Sequence, residues 1–224
     1  MEYRIANEEW QRDGELVRKH LREVSGGTWH LKTAIAEMRD QGFPHWRQSE
    51  WPGFYFEFRE QALGHSGFRR GPRYGNVEFD LQSKLVWDLK VHVDGKSMVP
   101  LNDQEAVRDC ISERGFLGWM ILTGTATYAS DSERDWHTEL KGGLTAYASN
   151  NRKEGKRKRR IKSSFTPQAI VGFGISGIKN LERAVDEGWL VEFQKGLPNS
   201  DGSPRRAKYM ANLSAIPDWA ALRP

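Results

Sequence analysis

Asp80, Asp88 and Lys90 are the residues of this chain whose types and spacing could do chemistry. Two runs of alternating polarity, Asn76–Leu81 and Leu85–Val93, flank the polar link Gln82-Ser83-Lys84, which is the pattern of a β-hairpin. Strand side chains alternate sides with period two. Leu85, Trp87, Leu89, Val91 and Val93 therefore share one face, and Val86, Asp88, Lys90 and His92 share the other. In the first run Glu78 and Asp80 lie opposite Val77, Phe79 and Leu81. A turn centred on Lys84 sets Asp80 across from Asp88, with their Cβ atoms roughly 5 Å apart. Two carboxylates at that distance repel, and a hard divalent cation between them, which prefers oxygen ligands, removes the repulsion. Lys90, one step along the same face, is placed to hold an anionic oxygen or a water.

The flanking segments must hold this hairpin. A helix is expected over Pro52–Leu63, with proline in its first turn. Trp51, Phe54, Tyr55 and Phe58 form its apolar stripe, Glu57 lies at the border of that face, and Glu60 is one turn further on. Gly64–Gly75 reads as a loop whose Arg69, Arg70 and Arg73 are candidate phosphate contacts near the site. After the motif, Asp94-Gly95 favours a type I′ hairpin turn and Ser97–Leu101 a third strand. Asn102 and Glu105 have capping-box spacing for a helix reaching Arg114 and stopped by Gly115. Phe116–Thr125 is a near-continuous apolar run that suits a strand buried on both faces.

This sequence of residues resembles the active-site motif of the PD-(D/E)XK nuclease superfamily, which includes most type II restriction endonucleases. The family places an Asp at the end of one strand and Asp/Glu-x-Lys on the next; here these are Asp80 and Asp88-Leu89-Lys90. Phe79 stands where the name-giving proline would be. The order helix, three strands, helix, strand from Pro52 to Thr125 is similar to the superfamily's αβββαβ core. The resemblance implies an α/β (α+β) fold with a central mixed sheet flanked by helices. It also implies a Mg²⁺-dependent, sequence-specific double-stranded DNA endonuclease that leaves 5′-phosphates. In that reading Asp80, Asp88, the backbone carbonyl of Leu89 and Glu57 hold one or two Mg²⁺ ions, with Glu50 the second choice of glutamate. Lys90 positions or helps deprotonate the attacking water. Cutting both strands of a duplex favours a homodimer whose two-fold axis matches a palindromic site. A repair or modification-dependent nuclease on the same core, and a non-catalytic nucleic-acid-binding protein, are the alternatives.

The rest of the chain divides accordingly: a helical N-terminal subdomain over residues 1–49, a catalytic core over 50–175, and a C-terminal helix and β-hairpin over 176–224. Asn7 is expected to cap a helix over Glu8–Val24, and a second helix to cover Thr28–Gln41. Their tight glycine turn reads either as a helix-turn-helix DNA reader or as a packing unit. Ser132 is expected to cap a helix over Glu133–Ala148 that carries His137. Between Arg152 and Lys162 eight of eleven residues are basic: Arg152, Lys153, Lys156, Arg157, Lys158, Arg159, Arg160 and Lys162. Such a run repels itself, and a DNA backbone would neutralise it with a strong salt dependence. Ala169–Ile175 reads as a buried strand, Lys179–Glu187 as a helix, and Trp189–Gln194 with Lys208–Leu213 as a hairpin. The loop of that hairpin carries Asn199, Ser200, Arg205 and Arg206, candidates for groove contacts or a wing.

Composition bounds these readings. The chain has 224 residues with nine Trp, ten Phe and six Tyr, enough large side chains for a real core. A net charge of +4 permits a polyanionic partner without demanding one. The single Cys110 excludes an internal disulfide framework and favours a reducing, cytoplasmic setting. No apolar run approaches the roughly 20 residues of a membrane span. No Cys or His spacing suits zinc, no phosphate-cradling glycine loop is present, and nothing implies a small-molecule cofactor.

Overall fold

Trp10, Val17, Leu21 and Val24 recur at helical spacing, and helix α1 (Asn7–Val24) buries all four. The computed structural model describes residues 5–64, 67–144, 149–150, 153–155, 160–194, 196 and 205–223. After α1, the short strand β1 (Trp29–His30) runs into α2 (Leu31–Asp40), and α3 (Trp51–Leu63) follows a turn of 3₁₀ helix. Three two-residue strands come next: β2 (Arg73–Tyr74), β3 (Val77–Glu78) and β4 (Leu81–Gln82). The long elements are β5 (Val86–Val93), β6 (Met98–Asp103), α4 (Gln104–Arg114), β7 (Phe116–Tyr128), α5 (Asp131–Leu140) and β8 (Lys162–Ser176). Helix α6 (Ile178–Asp186), strands β9 (Leu190–Phe193) and β10 (Lys208–Asn212), and a 3₁₀ turn over Leu213–Ala215 follow.

The central sheet is mixed, with strand order β1-β8-β7-β5-β4. Strands β5 and β7 are parallel, joined by a crossover through β6 and α4, while β4 pairs antiparallel to β5 and β8 antiparallel to β7. Each sheet face is covered. On one side Trp10, Leu21, Ile35, Trp51 and Phe56 of the first three helices pack with Trp87, Leu89, Phe116 and Met120. On the other, Val86, Trp119, Ile121 and Phe173 pack with Val107 and Ile111 of α4, Leu181 of α6, and Leu101 and Tyr209 of a second sheet. That second sheet has the order β6-β10-β9.

Several elements depart from expectation. Trp29 and His30 are not helical; they pair with Phe165 and Ser164 at the edge of the central sheet, because the indole of Trp29 lodges against Tyr55, Phe56 and Phe165. The segment after Asp94-Gly95 does turn, with Gly95 at φ +83°. It does not fold back on β5, however, and β6 pairs with β10 instead. The cap of α4 is Asp103, whose carboxylate accepts the amides of Glu105 and Ala106, not Asn102. Asn7 is the first residue of α1 rather than its cap, and α5 is capped by Ser130 in a capping box with Glu133. Strand β8 extends well before Ala169 and takes in Lys162, the end of the basic run.

Trp87 is the pivot between layers. Its ring faces Gly118 on β7 and Gly14 on α1, and a Cβ at either glycine would fall well inside van der Waals contact with the indole. Both backbones can approach the ring only because these positions lack a side chain.

Candidate active site

Strand β4 pairs with β5 at Leu81↔Trp87 and Gln82↔Val86. This register is centred on Lys84, as expected, and the ladder ends at Leu81, one residue short of an Asp80–Asp88 pair. The turn is gripped from a distance: the Asp13 carboxylate on α1 accepts Ser83 Oγ at 2.5 Å, Leu85 N at 3.2 Å and Trp87 Nε1 at 2.9 Å. The indole of Trp87, the residue before Asp88, is thus fixed by α1 on one side and by β7 on the other.

Before Leu81 the chain leaves the ladder, and the Asp80 side chain takes the strand's place by accepting the Leu89 amide at 2.7 Å. Asp88, on β5, is 2% exposed at its side chain, whereas Lys90 is 26% exposed. The Lys90 ammonium bonds to Asp88 Oδ2 and reaches the Leu89 carbonyl at 3.2 Å. Asn102, at the end of β6, donates to Asp88 Oδ1 at 2.8 Å and accepts from Trp119 Nε1 at 3.0 Å. Capping propensity obscured this role, because Asn102 and Asp103 are adjacent and either residue type can cap a helix.

Glu57, half-buried on α3, lies within electrostatic reach of Lys90 and Asp88. Burial pushes its carboxyl up to about 7; Lys90 works against this and Asp88 adds to it. Burial and then the charges of Asp88 and Glu57 raise the Asp80 carboxyl well above its ordinary value. Burial disfavours the Lys90 ammonium, yet Asp88 and Asp80 outweigh it and hold Lys90 above its usual range. Three carboxyl groups and one ammonium therefore share a single field, with more negative charge than the site can ionise comfortably.

This donor set suits a hard divalent cation. The Asp88 carboxylate and the Leu89 carbonyl already converge on one positive charge, the Lys90 ammonium, and oxygen ligands of this kind are those of Mg²⁺. Among the described residues no three His, Cys, Asp or Glu side chains form a ready-made cluster; Glu57 acts on Asp88 and Lys90 through its charge. Glu50 is turned to another task, accepting Lys162 Nζ at 2.6 Å.

Around the site, Arg70 and Arg73 both pair with Glu78, at 2.9 and 3.2 Å, and Arg70 also acts on Glu57. Arg69 bonds through its backbone to Gln82, with its side chain exposed. Arg206, from the β9–β10 hairpin, reaches the β2–β3 turn, where a Cβ on Gly75 would stand 3.5 Å from its Nη1. Arg73 and Arg206 are thus brought to one turn from segments far apart in sequence. Arg205 is exposed. Arg160 stacks its guanidinium 3.6 Å from the Tyr128 ring centroid, and Lys153 is exposed. Arg152, Lys156, Arg157, Lys158, Arg159, Asn199 and Ser200 lie outside the described residues.

Other reactive groups are spoken for by burial. The Cys110 thiol is buried and pushed up to about 12, burial being the main cause. His137 is fully buried on α5, and burial with Lys141 nearby lowers it to about 4, which leaves a neutral packing residue. No helix among the described residues is long and apolar enough to cross a membrane. Comparison with protein-family models, curated proteins and solved structures finds no match for this chain.

Proposed function

We propose that the protein is a Mg²⁺-dependent endonuclease of the PD-(D/E)XK type acting on double-stranded DNA, as a restriction enzyme does. The observation that carries the reading is the bond from the Leu89 amide to Asp80, which holds that carboxylate in one field with Asp88 and Glu57, with Lys90 bound to Asp88. The parallel β5–β7 pair, linked by a crossover helix, adds support. The departure of β6 to another sheet is the point at which the fold differs from the simplest form of that core.

Asp80, Asp88 and the Leu89 carbonyl would hold the metal ion, with Glu57 contributing charge beside them. When bound, Mg²⁺ lowers the pKa of a water and offsets charge developing on the scissile phosphate. The chain's own part is electrostatic and positional. Lys90, kept protonated by the aspartates, presents a positive charge to an anionic oxygen. Arg70 and Arg73, drawn to Glu78, and Arg206 beside them form a cationic rim for the DNA backbone, which positions a duplex without reading its sequence. A homodimer would bring two such sites to opposite strands.

The direct test is incubation of the purified protein with unmodified and methylated phage DNA, with Mg²⁺ and with EDTA. Discrete Mg²⁺-dependent fragments are expected, and a preference between the two DNAs separates a restriction enzyme from a modification-dependent one. Intact DNA in every tube, together with a salt-sensitive gel shift, would overturn catalysis and leave a binding protein.

A further inference from the structure

Asp88 is buried, yet each of its oxygens has a donor: Lys90 on Oδ2 and the Asn102 amide nitrogen, at 2.8 Å, on Oδ1. The orientation of that amide is dictated from behind. Trp119 Nε1 donates to Asn102 Oδ1 at 3.0 Å, and an indole nitrogen can only donate. Asn102 is therefore obliged to turn its NH₂ group to Asp88. Trp119 is itself a fixed post: it is fully buried, it stacks on Phe173 with centroids 5.2 Å and planes 22° apart, and it is Asp88's register partner across β5 and β7. The relay joins three strands: β7 and β5 of the central sheet and β6 of the second sheet.

From this chain of contacts we infer that Asn102, clamped by Trp119, is a positioning residue that sets the Asp88 carboxylate for cation binding; the inference rests on the reading of Asp88 as a metal ligand. A carboxylate held by one partner alone can swing about its Cβ–Cγ bond. A second donor, on the oxygen away from Lys90, fixes its plane and leaves Oδ2 directed to the place where Lys90 and the Leu89 carbonyl meet. Hydrogen-bond partners of ligating groups commonly govern metal affinity by about 10- to 100-fold, and that range is the expected effect here. A purely structural asparagine would instead change stability and leave ion affinity alone.

The test measures binding of Mn²⁺ alone, without DNA, by calorimetry and by the electron paramagnetic resonance signal of free Mn²⁺. The full chain is compared with Asn102→Ala, Trp119→Phe and Asp88→Ala. Asn102→Ala should raise the Mn²⁺ Kd by about 10- to 100-fold. Trp119→Phe, which keeps an aromatic ring and removes the indole donor, should shift it in the same direction by less, and this variant decides the matter if Asn102→Ala fails to fold. Wild-type affinity in both variants, with binding lost in Asp88→Ala, would overturn the positioning role and leave the metal site standing. Wild-type affinity in Asp88→Ala would overturn the site itself, and the role of Asn102 with it.

Discussion

The Asp80 carboxylate accepts the backbone amide of Leu89 at 2.7 Å, one residue before β4 begins. A side chain here does what a strand would otherwise do, and this anchors an acid of the site to the edge of the strand that carries the other. The bond also explains how two like-charged groups stay close: the amide and Lys90 partly offset the repulsion that burial and Asp88 impose on Asp80.

Asp80→Asn should separate stability from activity. The amide oxygen can still accept the Leu89 N–H, while the like-charge repulsion disappears. Thermal unfolding in EDTA should therefore occur at an equal or higher temperature than in the wild type, and Mg²⁺-dependent cleavage should fall by about 100-fold or more. Asp80→Ala removes the acceptor too and should lower stability by about 1–2 kcal/mol. A stable, fully active Asp80→Asn enzyme would remove Asp80 from the chemistry.

Glu57 makes the metal-free protein sensitive to pH. Its carboxyl rises from an ordinary 4.5 to about 7 on folding, so the folded state holds this proton more tightly than the unfolded chain. Its contribution is present in full below about 4.5 and is lost as pH rises through about 7. Denaturation curves between pH 5 and pH 8 should show that decline, and Glu57→Gln, which resembles the protonated acid, should flatten it. Because a cation is bound by ionised carboxylates, apparent Mn²⁺ affinity should climb over the same interval.

Lys90→Ala removes the cation that Asp88 and the Leu89 carbonyl share. Cleavage should drop by about 100- to 1,000-fold, with a gel shift on duplex DNA retained. Equal losses of cleavage and binding would indicate that Lys90 serves only to hold DNA.

Arg73→Ala and Arg206→Ala probe the rim. If each contacts a phosphate, either substitution should weaken binding to unrelated duplexes alike and reduce the slope of log K against log salt by about one. Equilibrium binding across a salt series measures it, and an unchanged slope would place these side chains away from DNA.

Gly118→Ala sets a methyl group against the ring of Trp87, one residue from Asp88. Overpacking of this kind costs about 1–3 kcal/mol, read by urea denaturation, and displacement of the strand should lower cleavage as well. Asp13→Ala should cost about 3 kcal/mol, since a buried indole N–H and backbone amides lose their acceptor together.

The sequence was most informative where the physics is local. The alternation around Trp87 and the polar residues at 82–84 were enough to place the hairpin turn on Lys84, because a slip of one residue would put Asp88 on the apolar face. The apolar run at Phe116 marked a doubly covered strand, as found. Partnership was not legible. The turn at Asp94-Gly95 signals a strand over Ser97–Leu101 but does not say which sheet it joins, and β6 pairs with a strand more than a hundred residues later. The strand at Trp29 was concealed by residues that also fit a helical stripe. Nothing near Asp13 in sequence signals its role, because its four partners lie 70 or more residues away. Asn102 was assigned to a cap that its neighbour supplies. Where a local rule was satisfied twice over, by adjacent residues, the tertiary contact chose between them.

The grip of α1 on the hairpin turn also bears on the order in which the molecule is assembled. Gly14 of α1 touches Leu222, whose backbone amide bonds to Gly172 on β8, and Gln11 donates to the Ala221 carbonyl. The helix that clasps residues 83–87 is itself clasped by residues 221–223. Contacts spanning some two hundred residues form late, because closing so long a loop costs entropy before it yields any contact. The hairpin turn is local in sequence, whereas the helix that grips it through Asp13 is itself held by residues far downstream. Residues 221–223 thus bear, through α1, on a turn made more than a hundred residues earlier in the chain.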